Sequence, residues 1–470
     1  MNLKRIWKIT WISGVVLLLL LVVILLVSLR VVDKTPYFEA EYYAKTVNSL
    51  NEAFEKDSEI VGKFEAGFGV ENITPKLGDT DNPVKGCFSN VPLAGFGDRK
   101  SSAVGVHDSI YVKAAALKVN NKLVVAISAD ILLISPYVAD SVAFLLNREA
   151  GIKREQIVFG STHTHSSIGA FLTGIIGEKF SGKFQPGIIS FLSRRFASAA
   201  LKAIADIKPA SVGSVEIKVP ELVRNRMNKD GGRLNDKFTC LSIEQTNGRK
   251  AIIGTFAAHP TTLGASNYEF SGDYPGYWQR KIEEEYADVA IFFAGTLGSH
   301  SYSGGVGEKF EKTRDVGEKL AGRLINNNQD ILKTDSVTMA FFAIKVNKSP
   351  MQFRVANSLY LSPFISNKLI PENDSYYLQG LKLGNLIWIS MPLELSGEIA
   401  IDLKNALKLA GYNSMFTSLN GNYFGYVTPS KYYYHNAYES FLMGWYGPSM
   451  GDYITDLLYK SADKLTGKRL

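Results

Sequence analysis

The sequence predicts an α/β fold: mixed β-sheets with covering helices, in a single large domain behind an N-terminal transmembrane helix. Three observations predict it. Short runs rich in Val, Ile, Ala and Phe alternate with longer stretches of helical periodicity. One helix pattern, opened by Pro136 and closed by Gly151, lies between two such runs. A separate, wholly uncharged run occupies the N-terminus. With 470 residues, 46% apolar and 21% charged, the chain has material for a sizeable core and is neither disordered nor polytopic in the membrane. Two cysteines, Cys87 and Cys240, exclude a disulfide-stapled scaffold and a cysteine-based zinc module.

Residues 9–29 are uncharged, with a Leu/Val/Ile core over 15–27, long enough for about 30 Å of hydrocarbon. Lys4, Arg5 and Lys8 precede the run, and Trp7 and Trp11 suit its interface. The basic flank predicts a cytoplasmic N-terminus (1–8), a signal anchor (9–30) and a body outside the cytoplasm, in periplasm or at a cell surface. The run exceeds a usual signal-peptide core, and no A-x-A-like cleavage site follows it. Residues 1–34 carry five basic residues against Asp33, so only +3 of the net +7 remains for the body. That balance, without a Lys/Arg-rich run, excludes a nucleic-acid footprint. Residues 31–65 read as a polar, partly helical linker, and 66–470 as the body.

Within the body, 123–129 (LVVAISA) reads as a buried strand, Ser135 and Pro136 start a helix, and 156–161 (QIVFGS) is the next strand. Such a βαβ unit requires parallel strands. Further strands are expected at 251–258, 289–294, 386–391 and 414–419. Helices are expected at 186–207, 274–286, 308–328 and 395–410.

Polar residues gather where these strands end. Thr162-His163-Thr164-His165-Ser166 follows the second strand, and His259-Pro260-Thr261-Thr262 the third. Gly295-Thr296-Leu297-Gly298-Ser299-His300-Ser301, Pro392-Leu393-Glu394 and a segment ending in Tyr426 follow the others. Groups at carboxyl ends of strands converge on one site in open α/β sheets. In an extended segment His163 and His165 face one side, and neutral imidazoles are good metal ligands. Of six histidines, His107 reads as a packed structural residue, His435 as peripheral, and His300 as a neighbour of the site.

These motifs resemble the neutral/alkaline ceramidases, zinc-dependent amidases of the N-acyl bond of ceramide. The resemblance runs from Gly69-Val70-Glu71-Asn72-Ile73-Thr74-Pro75 through Gly105-Val106-His107-Asp108 and Ser128-Ala129-Asp130. Its most specific match is Thr162-His163-Thr164-His165-Ser166. It continues through His259-Pro260-Thr261-Thr262, Ser271-Gly272-Asp273, Pro392-Leu393-Glu394, Gly425-Tyr426-Val427-Thr428 and Tyr438-Glu439.

The resemblance implies a Zn²⁺ site of His163, His259, Glu394 and Tyr426, with His165 beside the metal or substrate. It implies Arg226, in Asn225-Arg226-Met227, as a substrate-holding arginine, and Ser301 as the family's catalytic serine. Around Ser301, Ser299 and Tyr302 replace the family's Asp and Pro; Ser167-Ile168-Gly169 replaces a Gly-Pro-Gly-like run. The chain stops soon after the late tyrosine segment, where the family continues into an immunoglobulin-like domain.

The implied activity is amide hydrolysis of ceramide or a related lipid, with zinc polarising the carbonyl and water or Ser301 attacking it. Arg226 and His165 would stabilise the oxyanion, and His165 would protonate the leaving amine. A same-fold zinc hydrolase of another N-acyl or cell-envelope substrate, and a non-catalytic lipid-binding homologue, are the competing readings. Retention of all four implied ligands argues against the last. The expected partners are an amphiphilic, ceramide-like lipid and the membrane, with no nucleic acid.

Overall fold

The computed structural model describes residues 3–56 and 59–470. Helix Leu3–Ser28 opens the chain. Its Ile6–Ser28 part has a mean hydropathy of 3.0 with nothing buried, and is long and apolar enough to cross a membrane.

The body is built on a 12-stranded mixed sheet that branches at the long strand Ile60–Asn72. One part of that strand pairs with Tyr111–Val119, which leads through Lys122–Ala129 to Ile157–Ser161. Its start pairs with Ser336–Lys345, leading through Tyr377–Leu383 and Leu386–Ser390 to Asn413–Thr417. Through Lys208–Lys218 it reaches Lys237–Gln245, Lys250–Phe256 and Val289–Ala294.

Side-chain alternation explains the layering. In Tyr111–Val119, Ala115, Leu117 and Val119 enter an inner core with Phe293, Leu381 and Trp388. Val112, Ala114 and Ala116 point the other way, under helices Pro136–Ala150 and Pro186–Ala205. A strand buried on both faces reads as a near-continuous apolar run, which is what made these segments visible in the sequence. Helices Asp273–Glu285 and Lys309–Asn326 cover another outer face. Gly397–Leu409 and Met450–Thr466 cover a third.

The expected βαβ unit is present: Lys122–Ala129 and Ile157–Ser161 are parallel, joined by helix Pro136–Ala150. Pro136 occupies its first turn, and Gly151 closes it at φ 67°, a left-handed position that suits glycine. The other expected strands and helices are found within a few residues of their expected limits. The stretch read as a linker is largely structured. Helix Glu41–Lys56 places Leu50 in the core beside the C-terminal helix, and Ile60 already begins the shared strand. The periodicity of 41–56 carries few large aliphatic residues, so its burial was not legible. Cys87 and Cys240 are both free thiols.

Candidate metal centre

Strand Ile157–Ser161 ends by handing Thr162 N–H to Ala129 O (2.9 Å) and His163 N–H to Ile131 O (3.1 Å). His163 then adopts φ 64°, a left-handed conformation that costs a non-glycine residue about 1 kcal/mol or more and clusters at functional sites. The segment is therefore a turn, not the extended run the i, i+2 argument assumed. The two rings meet nevertheless: His165 Nε2 lies 3.4 Å from His163 Nε2. Gly95, at φ 111°, makes room, since a Cβ there would collide with the His165 ring.

His259 arrives from the end of Lys250–Phe256. Its Nε2 is 3.1 Å from His163 Nε2 and 3.0 Å from His165 Nε2. The ligand atoms of the three rings lie within 4.8 Å of one another, and the group can hold a metal ion. Glu394 joins from a two-residue parallel pairing, Glu394-Leu395 with Tyr426-Val427. Its Oε2 stands 3.6 Å from His163 Nε2 and 3.7 Å from His259 Nδ1. Gly298 permits that approach: a Cβ there would sit 2.6 Å from Glu394 O.

Hydrogen bonds orient these donors. His163 Nδ1 is 2.6 Å from Leu132 O, so Nδ1 carries the proton and the Nε2 lone pair faces the other two rings. Tyr423 OH donates to Glu394 Oε1 at 2.9 Å. Glu394 Oε2 is buried and has no hydrogen-bond partner. An orphaned carboxylate oxygen beside converging imidazole nitrogens fits a metal ion that takes N and O donors.

Burial dominates the electrostatics. It lowers His163 to about 3 and drives His165 and His259 well below the usual imidazole range, so all three are neutral. Burial likewise pushes Glu394 up to about 7, against the hydrogen bonds of Tyr426 and Tyr423 and the charge of Arg226. Tyr426 is also raised by burial and then by Glu394. A bound cation would favour the ionised form of each. Arg226 stays protonated despite its burial, held up by Tyr426, Glu439 and Glu394. Its Nε donates to Glu439 Oε1 at 2.8 Å, and its other end to Tyr426 OH at 3.3 Å.

A cavity of about 270 Å³ ends on this cluster. His163, His165, Glu394 and Tyr426 line its deep end, and Leu132, Leu172, Ile176, Phe180, Met443 and Trp445 make apolar walls.

The sequence of residues 76–299 matches the family described as neutral/alkaline non-lysosomal ceramidase, N-terminal. Over that span the chain is similar to the neutral/alkaline ceramidases. The matched span contains His163, His165 and His259; Glu394 and Tyr426 lie beyond it. The ceramidase-type fold extends further. The neutral ceramidase of Pseudomonas aeruginosa superposes with a TM-score of 0.71 at 17% identity, over 87% of this chain and 75% of that one. A ceramidase complexed with C2 gives 0.69 at 17% identity, over 85% and 75%.

The remaining expected residues separate. Ser301 lies on the short strand His300–Tyr302, bridged to His259 through the backbone, and its hydroxyl accepts from Arg224 Nε at 3.0 Å. It does not line the cavity. His107 stacks on Phe310 at 3.5 Å, and His435 packs on Tyr432. His300 is buried, facing Ser299 Oγ and the Asn235 N–H. Tyr423 and Glu439 gained no role from the sequence, although both lie in motifs noted there. Their partners are 29 and 213 positions away.

Proposed function

We propose that this chain is a membrane-anchored, zinc-dependent amide hydrolase that splits the N-acyl bond of ceramide or a related lipid. The products are a free fatty acid and an amine of sphingoid-base type. One observation carries the reading: three histidine Nε2 atoms and an orphaned Glu394 oxygen converge at the blind end of an apolar cavity. An acyl chain fits such walls, and its amide carbonyl would arrive at the polar end.

His163, His259, Glu394 and Tyr426 are the proposed zinc ligands, with His165 beside them, its Nε2 3.0 Å from that of His259. When bound, zinc supplies Lewis acidity that polarises the scissile carbonyl and acidifies water. Leu132 O fixes the His163 tautomer, and Tyr423 holds the Glu394 carboxylate. Arg226 presents a fixed positive charge beside Tyr426, where the carbonyl oxygen gains negative charge in the transition state. Water adds its oxygen to the acyl carbon, the C–N bond breaks, and the amine leaves with the proton that water lost. His165 is the proposed carrier of that proton. Water is favoured over Ser301 as nucleophile, because the Ser301 hydroxyl is engaged by Arg224 and Ser301 does not line the cavity.

The basic residues before Ile9 support a cytoplasmic N-terminus and a body outside the cytoplasm. The full-length protein should contain about one zinc per chain by elemental analysis. It should release fatty acid from N-acyl sphingoid bases, and chelator should abolish the release. Zinc-containing protein that hydrolyses no ceramide while cleaving N-acyl amino acids would move the reading to a different amide, and metal-free protein with undiminished activity would overturn the zinc reading.

A further inference from the structure

The apolar helix does not hang from the body by a loose tether. Leu29–Val31, directly after it, pairs antiparallel with Leu359–Leu361. Ser362 N–H bonds to Ser28 O (2.7 Å) and Val32 N–H to Ser358 O (3.0 Å), closing the clamp at both ends. Asp33 N–H is received by Gln352 Oε1 at 2.9 Å. The end of the helix is thus clamped to one fixed place on the body.

That place adjoins the cavity entrance. Strand Leu359–Leu361 runs straight into helix Pro363–Leu369, which packs against helix Ile175–Ser181. Gly174, at φ 82°, makes the joint so tight that a Cβ would collide with Pro371. On their inner sides these segments give Ile176, Phe180 and Ile370 to the cavity wall. On their outer sides they expose Phe364 (68%) and Ile175 (64%). Of the cavity's lining residues, Glu394 and His163 are buried, whereas Pro371 beside this pair is open to solvent, as are Tyr137 and Asp140 on helix Pro136–Ala150 and Tyr438. Lys368 lies over the Phe364 ring at 4.4 Å, and Lys179 and Lys183 are exposed near Ile175. Outward apolar residues interspersed with lysines are the composition of a surface that rests in the headgroup region of an anionic bilayer.

We infer that Ile175–Ser181 and Pro363–Leu369 form a membrane-contact face at the cavity entrance, set on the bilayer by the clamped anchor, so that substrate enters from the lipid phase. The occupant is the lipid bilayer, because the membrane-length helix ends only a few residues from the face. The inference rests on the proposed function for its substrate, and its decisive test does not use turnover.

Full-length protein is reconstituted into phosphatidylcholine/phosphatidylglycerol vesicles in a Cys87→Ser background. Nitroxide labels are placed at Ile175→Cys, Phe364→Cys and, as control, Asn121→Cys, in the exposed turn after Tyr111–Val119 at the opposite end of the sheet from the site. The expected result is oxygen accessibility at 175 and 364 that exceeds accessibility to a polar nickel reagent, with the reverse at 121. Water-like accessibility at 175 and 364 overturns the inference. A second measurement uses Ile175→Glu with Phe364→Glu. Turnover of a long-chain N-acyl lipid in the vesicles should fall at least tenfold, and turnover of a short-chain soluble analogue should not change. Equal loss on both overturns the entry route. Wild-type protein inactive on both substrates would count against the proposed function, leaving the labelling result to decide the contact face.

Discussion

The two halves of the site are built differently. The histidine half comes from strand ends: Ile157–Ser161 is paired along its whole length with Lys122–Ala129, Lys250–Phe256 is paired on both sides, and their next residues fall in place. The other half comes from short or irregular backbone. Glu394 and Tyr426 sit in a two-residue pairing, Arg226 just after a three-residue strand, and Glu439 in a single π-helical turn. The first half is positioned by the sheet, and the second by its own hydrogen bonds: Tyr423 to Glu394, Arg226 to Glu439 and Tyr426. Scaffold strands fix ligand position without side-chain help, whereas loop-borne groups need a supporting network.

The largest effect should follow from breaking the sheet-borne half. His163→Ala removes the imidazole whose lone pair faces both other rings. Bound zinc should fall to near zero, and activity should drop by more than the about 10–100-fold typical of a residue that merely supports a ligand. Thermal unfolding of the metal-free protein should barely change. A variant that keeps stoichiometric zinc would show that His165, His259 and Glu394 suffice.

Next comes the loop-borne charge. Arg226→Ala should leave zinc content unchanged and lower kcat by about 10²–10³, the cost of losing one preorganised donor. Glu439→Gln should lower it less, because the guanidinium remains and an amide oxygen can still accept from its Nε, so that only the partner's charge is lost. Equal damage from both would mean that Glu439 acts on the reaction itself.

The same contrast explains what was legible in the sequence. Residues 123–129, 156–161 and 251–256 are buried on both faces, so their apolar runs announced strands, and His163, His165 and His259 followed from the last two. Nothing local marks Tyr423 or Glu439, whose roles depend on contacts made across the chain. The left-handed turn at His163 was hidden for a related reason: its conformation is set by the Ile131 carbonyl and the Leu132 carbonyl, on another strand's end. The 41–56 helix was read as linker because its docking face mixes Tyr42, Tyr43, Thr46 and Ala53 with only three strongly apolar residues, Val47, Leu50 and Phe54.

A smaller effect should come from the support of Glu394. Tyr423→Phe deletes one hydrogen bond to Oε1 and leaves the ring packed against Trp445. Zinc affinity should weaken by about 10-fold, towards the lower end for such supporting groups. Competition with a chelator measures it. Unchanged affinity would mean that Glu394 is held by its backbone pairing alone.

The smallest effect on activity concerns His300, the histidine beside the site but outside the cluster. The Asn235 N–H donates to its Nε2, so its proton sits on Nδ1 facing Ser299. Burial first, then the charges of Arg226 and Lys404, lower it to about 4. Below pH 6.5 an unfolded chain takes up a proton on this ring, and the folded chain does not until about pH 4. Stability from this group is therefore complete above pH 6.5 and falls as the pH drops towards 4. Between pH 7 and pH 5 the loss should be about 2 kcal/mol. Burial raises Asp273 to about 6, and its contribution runs the other way, growing as the pH falls. The informative quantity is therefore the difference between wild type and His300→Gln in urea unfolding at the two pH values. His300→Gln should lose about 2 kcal/mol less than wild type over that interval, with activity at neutral pH little changed. Parallel losses in both proteins would mean that water reaches the ring and that the interior around Asn235 and Ser299 is open to protons.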